Sequence, residues 1–397
     1  MEIPFNKAFI AGRELHYISQ AVLNGELKGD GPFTRRCQEL IESRFGIPKV
    51  LLTCSGTGAL EMAANLVELN EGDEVILPSY TFTSTANAFL LRGARPIFID
   101  IREDTLNIDE KLIPAQVTSR ARAICPVHYA GVACEMDSIM RTAADHNLSV
   151  VEDAAHAIMS TYRGRPLGSI GHLAAFSFHE TKNFSAGEGG ALLINDPRFR
   201  DRAEIIWEKG TNRRKFFRGE VDKYTWVDLG GSYLPSEIIA AFLLGQLERA
   251  DEMHAMRLGL WSRYYEGLLP LQTAGAFRLP IVPDGCEHNA HMFYILLETE
   301  EVRAEVVAHL KHLGISAVWH YIPLHSSPFG RTFGYREGQL PVTERISQTI
   351  LRLPLYCGLA ESQQDKVISA LVKFFSGRSI TSSKSDRSLG KPLRAVS

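Results

Sequence analysis

Short apolar runs alternate with helical patterns over residues 50–153, and this alternation limits the folds open to the chain. Strands that alternate with helices form a mostly parallel sheet, because each connecting helix packs against one of its faces. Ligands of such sheets bind outside the carboxyl ends of the strands. The predicted elements are a strand, turn and helix start at 50–59, strands at 74–77, 96–99 and 122–127, and helices at 81–92, 109–118 and 135–147.

Residues 149–190 bring an acid and an amine to the ends of two predicted strands. SVVED is an apolar strand that ends on Asp153, and AAFSFH is a second strand followed by Lys182 and a Gly-rich turn. A reactive amine and an acid that holds a protonated pyridine nitrogen are the protein groups that pyridoxal phosphate (PLP) chemistry requires. Either residue alone is more often structural, so the prediction depends on the two together.

The motifs VVEDAAHA, FSFHETKN and GEGG occur in that order in this stretch. Together they resemble the DegT/DnrJ/EryC1/StrS sugar aminotransferases, and the resemblance runs from about residue 3 to residue 375. It implies an α/β fold of fold-type I, with a mostly parallel central sheet and a smaller C-terminal α+β domain. It also implies PLP as cofactor, glutamate and a nucleotide sugar as substrates, a homodimer, and a role in surface polysaccharide biosynthesis.

The resemblance implies a set of residues that contact the cofactor, namely Ser55, Gly56, Thr57, Phe82, Asp153, His156, Ser177, Lys182 and Ser232. The Ser-Gly-Thr turn at 55–57 opens a helix, where free amides and the helix dipole favour a phosphate. The same turn is also a good helix cap without a ligand. Ser177 matches a second phosphate ligand, and Phe82 matches a ring against the pyridine face, although core packing is the usual role of a phenylalanine.

Lys182 and Asp153 are the catalytic candidates. Lys182 would react with the cofactor aldehyde and then move a proton, while Asp153 would keep the pyridine nitrogen protonated. His156 matches the residue that contacts the ring hydroxyl, although a buried structural histidine is an alternative. Ser232 stands where many relatives have an asparagine that reaches the partner subunit's phosphate, and a hydroxyl has a shorter reach.

The substrate-binding candidates lie in two segments. The basic segment 208–226 matches a loop that crosses the dimer interface, where Lys223 and Tyr224 are candidates for diphosphate and base contacts, although a solvated surface is the usual role of such a loop. WHYIPLH matches an element at the substrate entrance, so Tyr321 and His325 are expected to contact substrate. No metal site is expected, because five-residue spacing puts the two histidines of WHYIPLH on opposite faces of an extended segment.

Three alternatives remain open beside the predicted transaminase. Some relatives are PLP-dependent sugar dehydratases, in which a histidine replaces the lysine, and Lys182 argues against that reaction. A non-enzymatic regulator on the same fold would tolerate the loss of Asp153 or Lys182, yet both are present. A different 3- or 4-keto nucleotide sugar is the remaining alternative for the substrate.

Length and composition agree with a soluble enzyme. The 397 residues suit a large domain at 1–250 and a smaller one at 251–376, with a helix over 236–268 leading from the first to the second. Residues 377–397 are rich in serine and basic residues and are expected to form a disordered tail. A net charge of −3 gives no argument for nucleic acid or an anionic membrane as partner. The absence of a signal-peptide pattern and the scattered cysteines predict a reducing, cytoplasmic location.

Overall fold

A computed structural model describes residues 2–377. Except for Gly377, the predicted tail lies outside the described residues. The helices are α1 Glu14–Leu23, α2 Pro32–Phe45, α3 Gly56–Leu66, α4 Thr83–Leu90, α5 Met136–Asp145, α6 Arg200–Trp207, α7 Arg213–Phe217, α8 Glu237–Leu247, α9 Ala250–Thr273, α10 Glu300–His312, α11 Pro341–Thr349 and α12 Glu361–Ser376. The strands are β1 Val50–Thr53, β2 Glu74–Pro78, β3 Arg95–Ile99, β4 Ala121–Ile124, β5 Ser149–Asp153, β6 Thr161–Tyr162, β7 Arg165–Pro166, β8 Leu173–Ser177, β9 Gly190–Ile194, β10 Cys286–Glu287, β11 Phe293–Leu296 and β12 Ile350–Leu353.

The central sheet has seven strands in the order β1-β9-β8-β5-β4-β2-β3. The pairs β2–β3, β2–β4, β4–β5 and β5–β8 are parallel, whereas β9 runs antiparallel to both of its neighbours. The carboxyl ends of β5 and β8 therefore lie side by side, with Asp153 opposite Ala175. The predicted α/β fold with a mostly parallel sheet is confirmed.

Helices cover both faces of this sheet, as the alternation of apolar residues along β5 shows. Val150 packs into a cluster that includes α2, α5 and α8, and Val151 packs into another that includes α3, α4 and α6. Both valines are fully buried. A strand that is apolar on both faces is typical of a sheet enclosed between two helical layers.

Glu152, on the same strand, is a buried carboxylate that fastens a loop to the sheet. It accepts hydrogen bonds from the backbone amides of Gly168 (2.9 Å), Ile170 (2.8 Å) and Gly171 (2.5 Å), and from Nε2 of His128 (2.8 Å). Burial raises the pKa of Glu152, but the His128 contact and the amides outweigh burial and hold this pKa below its usual value. The carboxylate thus fixes residues 167–172, which lead into β8.

Replacing Glu152 by alanine is expected to lower the free energy of unfolding by roughly 3–5 kcal/mol, since the change leaves buried donors without their charged acceptor. Urea denaturation measures the loss. Glu71→Ala is the control, because Glu71 is exposed. If the two variants were equally stable, the carboxylate would not hold this loop.

A second, two-stranded sheet forms from β11 and β12, which run antiparallel with Phe293 opposite Leu353. Its apolar residues pack with α9, α10 and α12 into a separate cluster. This arrangement agrees with the predicted C-terminal α+β unit, while the boundaries at 250 and 376 stay a prediction. Across the described part of the chain, no helix has the length and apolar character needed to cross a membrane.

The structure differs from the sequence prediction at two helices. Residues 109–118 contain only a single 3₁₀ turn, Pro114–Gln116, because a proline in the middle of a helix lacks the amide donor and clashes with the preceding turn. The long helix over 236–268 is two helices, α8 and α9. Arg249, with φ −109° and ψ 18°, leaves the helical conformation between them, and the neighbouring Glu248 forms ion pairs with Arg13 and Arg36.

Candidate active site

Lys182 lies in the loop between β8 and β9, beyond the carboxyl end of β8. Burial lowers the pKa of its amine to about 8; the negative charge of Asp153 opposes this shift and the positive charge of Arg352 adds to it. An amine with this pKa is partly deprotonated near neutral pH, whereas an ordinary lysine is not. Lys182 is therefore a usable nucleophile and proton carrier.

Cofactor capture by the apo-protein is expected to follow this pKa, because only the neutral amine reacts with an aldehyde. The rate of PLP uptake should rise with pH and level off above about 8. Stopped-flow absorbance between pH 6 and pH 10 measures this rate. A rate that kept rising to pH 10 would mean that the Lys182 amine behaves as a solvated lysine.

Asp153 is the last residue of β5 and is buried, with 6% of its surface exposed. Its Oδ2 accepts a hydrogen bond from Thr85 Oγ1 at 2.7 Å, and its Oδ1 accepts one from the amide of Ala155 at 3.1 Å. The hydroxyl of Thr81 lies 2.8 Å from that of Thr85 and supports it. These contacts hold the carboxylate in one orientation at the strand end and leave it able to accept a further hydrogen bond.

His156 is buried and stacks on His291, with ring centroids 4.1 Å apart and planes 20° apart. Burial lowers its pKa well below the usual range, and the positive charge of Lys182 lowers it further, so the ring is neutral. His291 binds Asn183 through Nδ1, at 2.9 Å. By contrast, Nδ1 of His156 is buried and has no hydrogen-bond partner among the described residues. Such an orphan nitrogen needs a ligand group to satisfy it.

The Ser-Gly-Thr turn forms the start of α3, as predicted. Ser55 caps the helix, its Oγ accepting from the amide of Gly58 at 3.0 Å, and Thr57 Oγ1 lies 2.7 Å from Ser84 Oγ. A Cβ on Gly56 would lie 2.8 Å from Cβ of Ser177, so only glycine allows this close approach. The hydroxyl of Ser177 is thereby placed beside the first amides of the helix, an arrangement that suits a phosphate.

Phe82 and Tyr321 border the opening of the site. Phe82 immediately precedes α4 and exposes 59% of its surface, which is unusual for a large aromatic residue. The ring of Tyr321 lies 6.3 Å from it. Burial raises the pKa of Tyr321, so its phenol is neutral. Both rings are placed to contact a bound molecule, and their cofactor and substrate roles stay predictions.

His325 does not fit the predicted substrate contact. Its side chain is fully buried, with Nδ1 2.7 Å from Ser79 Oγ and Nε2 2.9 Å from Glu344 Oε1. Both ring nitrogens are thus occupied by the protein, and the ring fastens this loop to the end of β2 and to α11. His320 lies nearer the site residues, since its ring is 3.9 Å from that of Tyr321.

Lys223, Tyr224 and Ser232 are exposed and separate from this group. Ser232 pairs with Glu208 in an isolated β-bridge, and the ring of Tyr224 lies 5.8 Å from that of Phe216. Within the described chain, no hydrogen bond or ring contact joins these three residues to Lys182. A role in the partner subunit's site therefore stays a prediction for all three.

The basic run before them is largely neutralised. Arg214 pairs with Asp30 at 2.9 Å, and Arg218 pairs with Glu204 at 2.7 Å. Lys223, in contrast, forms no ion pair with any residue of 2–377. Among the basic residues of this segment, it therefore keeps a charge that is free for an anionic ligand.

These residues fit PLP on three counts: a lysine with a lowered pKa, an orphan buried imidazole nitrogen, and a glycine-lined helix start for the phosphate. Sequence reasoning missed Thr85, His291 and Asn183, which position the predicted residues. The one available signal was Thr85, the polar member among the buried residues of α4, which are otherwise apolar. Over the same described stretch, no group of three or more His, Cys, Asp or Glu side chains could hold a metal ion.

Comparison with known proteins agrees with a PLP-dependent aminotransferase site. The model of the DegT/DnrJ/EryC1/StrS aminotransferase family matches residues 9–372. The spore coat polysaccharide biosynthesis protein SpsC of Bacillus subtilis (strain 168) is 33% identical over 377 residues, covering 93% of this chain and 96% of SpsC.

Solved structures agree in fold. Spr1654 of Streptococcus pneumoniae superposes in its PMP form with a TM-score of 0.86 at 26% identity, covering 93% of this chain and 98% of that one. Its PLP form gives 0.85 at 26% identity, with coverages of 93% and 97%. DesV of S. venezuelae gives 0.85 at 29% identity, with coverages of 94% and 98%.

Proposed function

Because the chain belongs to the DegT/DnrJ/EryC1/StrS aminotransferase family and is a PLP-dependent sugar aminotransferase, we propose that it acts on dTDP-4-dehydro-6-deoxy-D-glucose. In this reaction L-glutamate gives its amino group to the sugar C4, and the products are dTDP-4-amino-4,6-dideoxy-D-galactose and 2-oxoglutarate. The place of the reaction would be surface polysaccharide synthesis, such as that of enterobacterial common antigen or O-antigen, in the cytoplasm.

The observation that supports the choice of substrate is a set of sequence segments along the chain. FTRRCQ, PVHYAGVACEMD, FSFHETKN, EKGTNR and VDKYTW resemble dTDP-4-amino-4,6-dideoxygalactose transaminase of enterobacterial common antigen synthesis. Two of these segments supply Tyr129 and Lys182, and a third supplies Lys223 and Tyr224. The free charge of Lys223 and the exposed ring of Tyr224 suit a diphosphate and a base.

The residues divide the chemistry among them. PLP, when bound, supplies an electron sink for the carbon that loses or gains a proton. Lys182 Nζ takes up and returns that proton, which its lowered pKa permits. Asp153, fixed by Thr85 and by the Ala155 amide, would keep the pyridine nitrogen of the bound cofactor protonated. His156 would form a hydrogen bond with the ring hydroxyl of the bound cofactor through Nδ1, which has no partner among the described residues.

Incubation of the holoenzyme with L-glutamate and a panel of keto-sugar nucleotides tests the proposed substrate. We expect turnover of dTDP-4-dehydro-6-deoxy-D-glucose and an axial amino group at C4 in the product, read by NMR. An equatorial product, or turnover only of a 3-keto sugar or of another 4-keto nucleotide sugar, would overturn this choice and leave the aminotransferase assignment intact.

We expect the active unit to be a homodimer. Several large apolar residues are unusually exposed in the single chain, namely Leu15, Leu23, Leu91 and Trp226. Exposed apolar side chains of this size mark association surfaces. Sedimentation velocity and activity over the same dilution series test this expectation, and a fully active monomer would contradict it.

A further inference from the structure

Arg352 is a cation without an acidic partner beside the lysine site. It lies on β12, opposite Tyr294 of β11, and exchanges backbone hydrogen bonds with Val318. Its side chain is partly exposed, yet Nε is buried and has no hydrogen-bond partner among the described residues. No carboxylate of residues 2–377 forms an ion pair with it. A buried donor of this kind is costly to leave unsatisfied, and a charged one more so.

The contacts of the Arg352 guanidinium include no anionic acceptor among the described residues. Nη1 lies 3.2 Å from Nδ1 of His320, and the guanidinium carbon lies 4.6 Å from the centre of the Phe5 ring. Arg352 can only donate, so Nδ1 of His320 accepts and its Nε2 carries the proton that points to Tyr129. His320 thus orients the guanidinium, but a neutral imidazole supplies no charge to balance it.

Only the side chain of His320 lies between the guanidinium and Tyr321, which borders the opening of the site. The ring of His320 lies 3.9 Å from that of Tyr321, and the Tyr321 ring lies 6.3 Å from that of Phe82. On the other side, Tyr129 connects His320 to His156, whose ring lies 6.0 Å from that of Tyr129. The positive charge of Arg352 also lowers the pKa of Lys182, in agreement with this proximity.

The charges around Lys182 do not balance without a ligand. Burial keeps His156, His291 and His320 neutral by lowering their pKa values well below the usual range. Two cations then remain, Lys182 and Arg352. Asp153 supplies the one carboxylate charge that raises the pKa of Lys182. An uncompensated guanidinium in such a place favours an anionic group, and its planar shape suits a carboxylate.

We propose that Arg352 binds a carboxylate of the amino donor and so positions the donor's α-carbon proton beside Lys182. This inference rests on the proposed function, because it takes an amino acid to be the donor. The cofactor phosphate is already provided for at the start of α3, beside Ser177, and the free charge of Lys223 suits the diphosphate of the sugar nucleotide. The donor carboxylate is the remaining anion of the reaction.

The test compares Arg352→Gln with Arg352→Lys in the holoenzyme. Arg345→Gln is the matched control, because Arg345 lies in α11 and is exposed, pairing with Glu103 at 2.6 Å. Three quantities are measured: the affinity for L-glutamate from conversion of the PLP absorbance without sugar, the binding of glutarate by calorimetry, and the KM for the keto-sugar nucleotide in the reverse conversion. Thermal unfolding of each variant reports stability.

In Arg352→Gln we expect the affinity for L-glutamate and for glutarate to fall roughly 10- to 100-fold, as for a lost charged hydrogen bond. The KM for the sugar nucleotide should stay unchanged, and Arg345→Gln should match the parent protein. Unchanged glutarate and glutamate binding would overturn the proposal, and so would a loss confined to the sugar nucleotide, which would assign the guanidinium to the diphosphate.

If Arg352→Gln does not fold, Arg352→Lys tests the proposal, because lysine keeps the positive charge and lacks the planar guanidinium that binds a carboxylate through two hydrogen bonds. Weaker glutarate binding in that variant supports the proposal, and unchanged binding contradicts it. The glutamate and glutarate measurements contain no sugar. An error in the proposed sugar substrate therefore leaves them interpretable.

Discussion

Replacing Lys182 by alanine is expected to lower transamination by at least about 10⁴-fold, the upper range for a positioned acid–base group, because the variant also loses the nucleophile. The fold should survive, since the amine of Lys182 forms no hydrogen bond with any described residue. Circular dichroism and the rate of 2-oxoglutarate release measure the two effects.

Lys111→Ala is the control for this variant, because Lys111 is exposed and distant in sequence from the site segments. It should keep the parent rate. Substantial turnover by Lys182→Ala, with the control unchanged, would remove this lysine from the reaction.

The second large effect is expected for Asp153→Asn, which keeps the size of the side chain and removes its charge. PLP should still bind through Lys182 and the turn at the start of α3. The proton-transfer step should slow by roughly 10- to 100-fold, as a lost charged hydrogen bond implies, and by more if the ring nitrogen loses its proton. Single-turnover absorbance with L-glutamate measures the step directly.

Thr85→Val provides a graded comparison, because it removes the donor 2.7 Å from Asp153 Oδ2 and keeps the carboxylate. A smaller loss than that of Asp153→Asn is expected. If Asp153→Asn turned over at the parent rate with full cofactor occupancy, another group would hold the ring nitrogen.

The parts of the site that could be predicted from the sequence are those that a local pattern determines. SVVED is an apolar strand with an acid at its end, and the structure places Asp153 at the end of β5. The Ser-Gly-Thr turn signals a helix start, and Ser55 caps α3. Neighbouring parallel strands then bring their carboxyl ends together, so Asp153 and Lys182 could be assigned to one edge of the sheet before any coordinates were known.

The parts that could not be predicted depend on contacts between distant segments. Period-two alternation cannot tell which face of WHYIPLH is buried, so His325 was taken for a substrate ligand although its ring bonds to Ser79 and Glu344. Similarly, LRLPL is typical of a strand with one outward-facing arginine. Only the pairing of β12 with β11 and the approach of His320 show that Arg352 belongs beside the active site.

The bend between α8 and α9 has the same cause. Helical periodicity continues through residues 236–268, whereas the break lies beside Glu248, whose partners Arg13 and Arg36 are more than 200 positions away in sequence. The roles predicted for Lys223, Tyr224 and Ser232 would involve a second subunit, whose residues lie outside a single chain.

Borohydride reduction of the holoenzyme, followed by peptide mass mapping, tests whether Lys182 is the residue that holds PLP. We expect the reduced cofactor on the single peptide that contains Lys182, with loss of the yellow absorbance, and no labelled peptide from Lys182→Ala. Recovery of the cofactor on any other lysine, or an unlabelled Lys182 peptide from fully loaded enzyme, would contradict it.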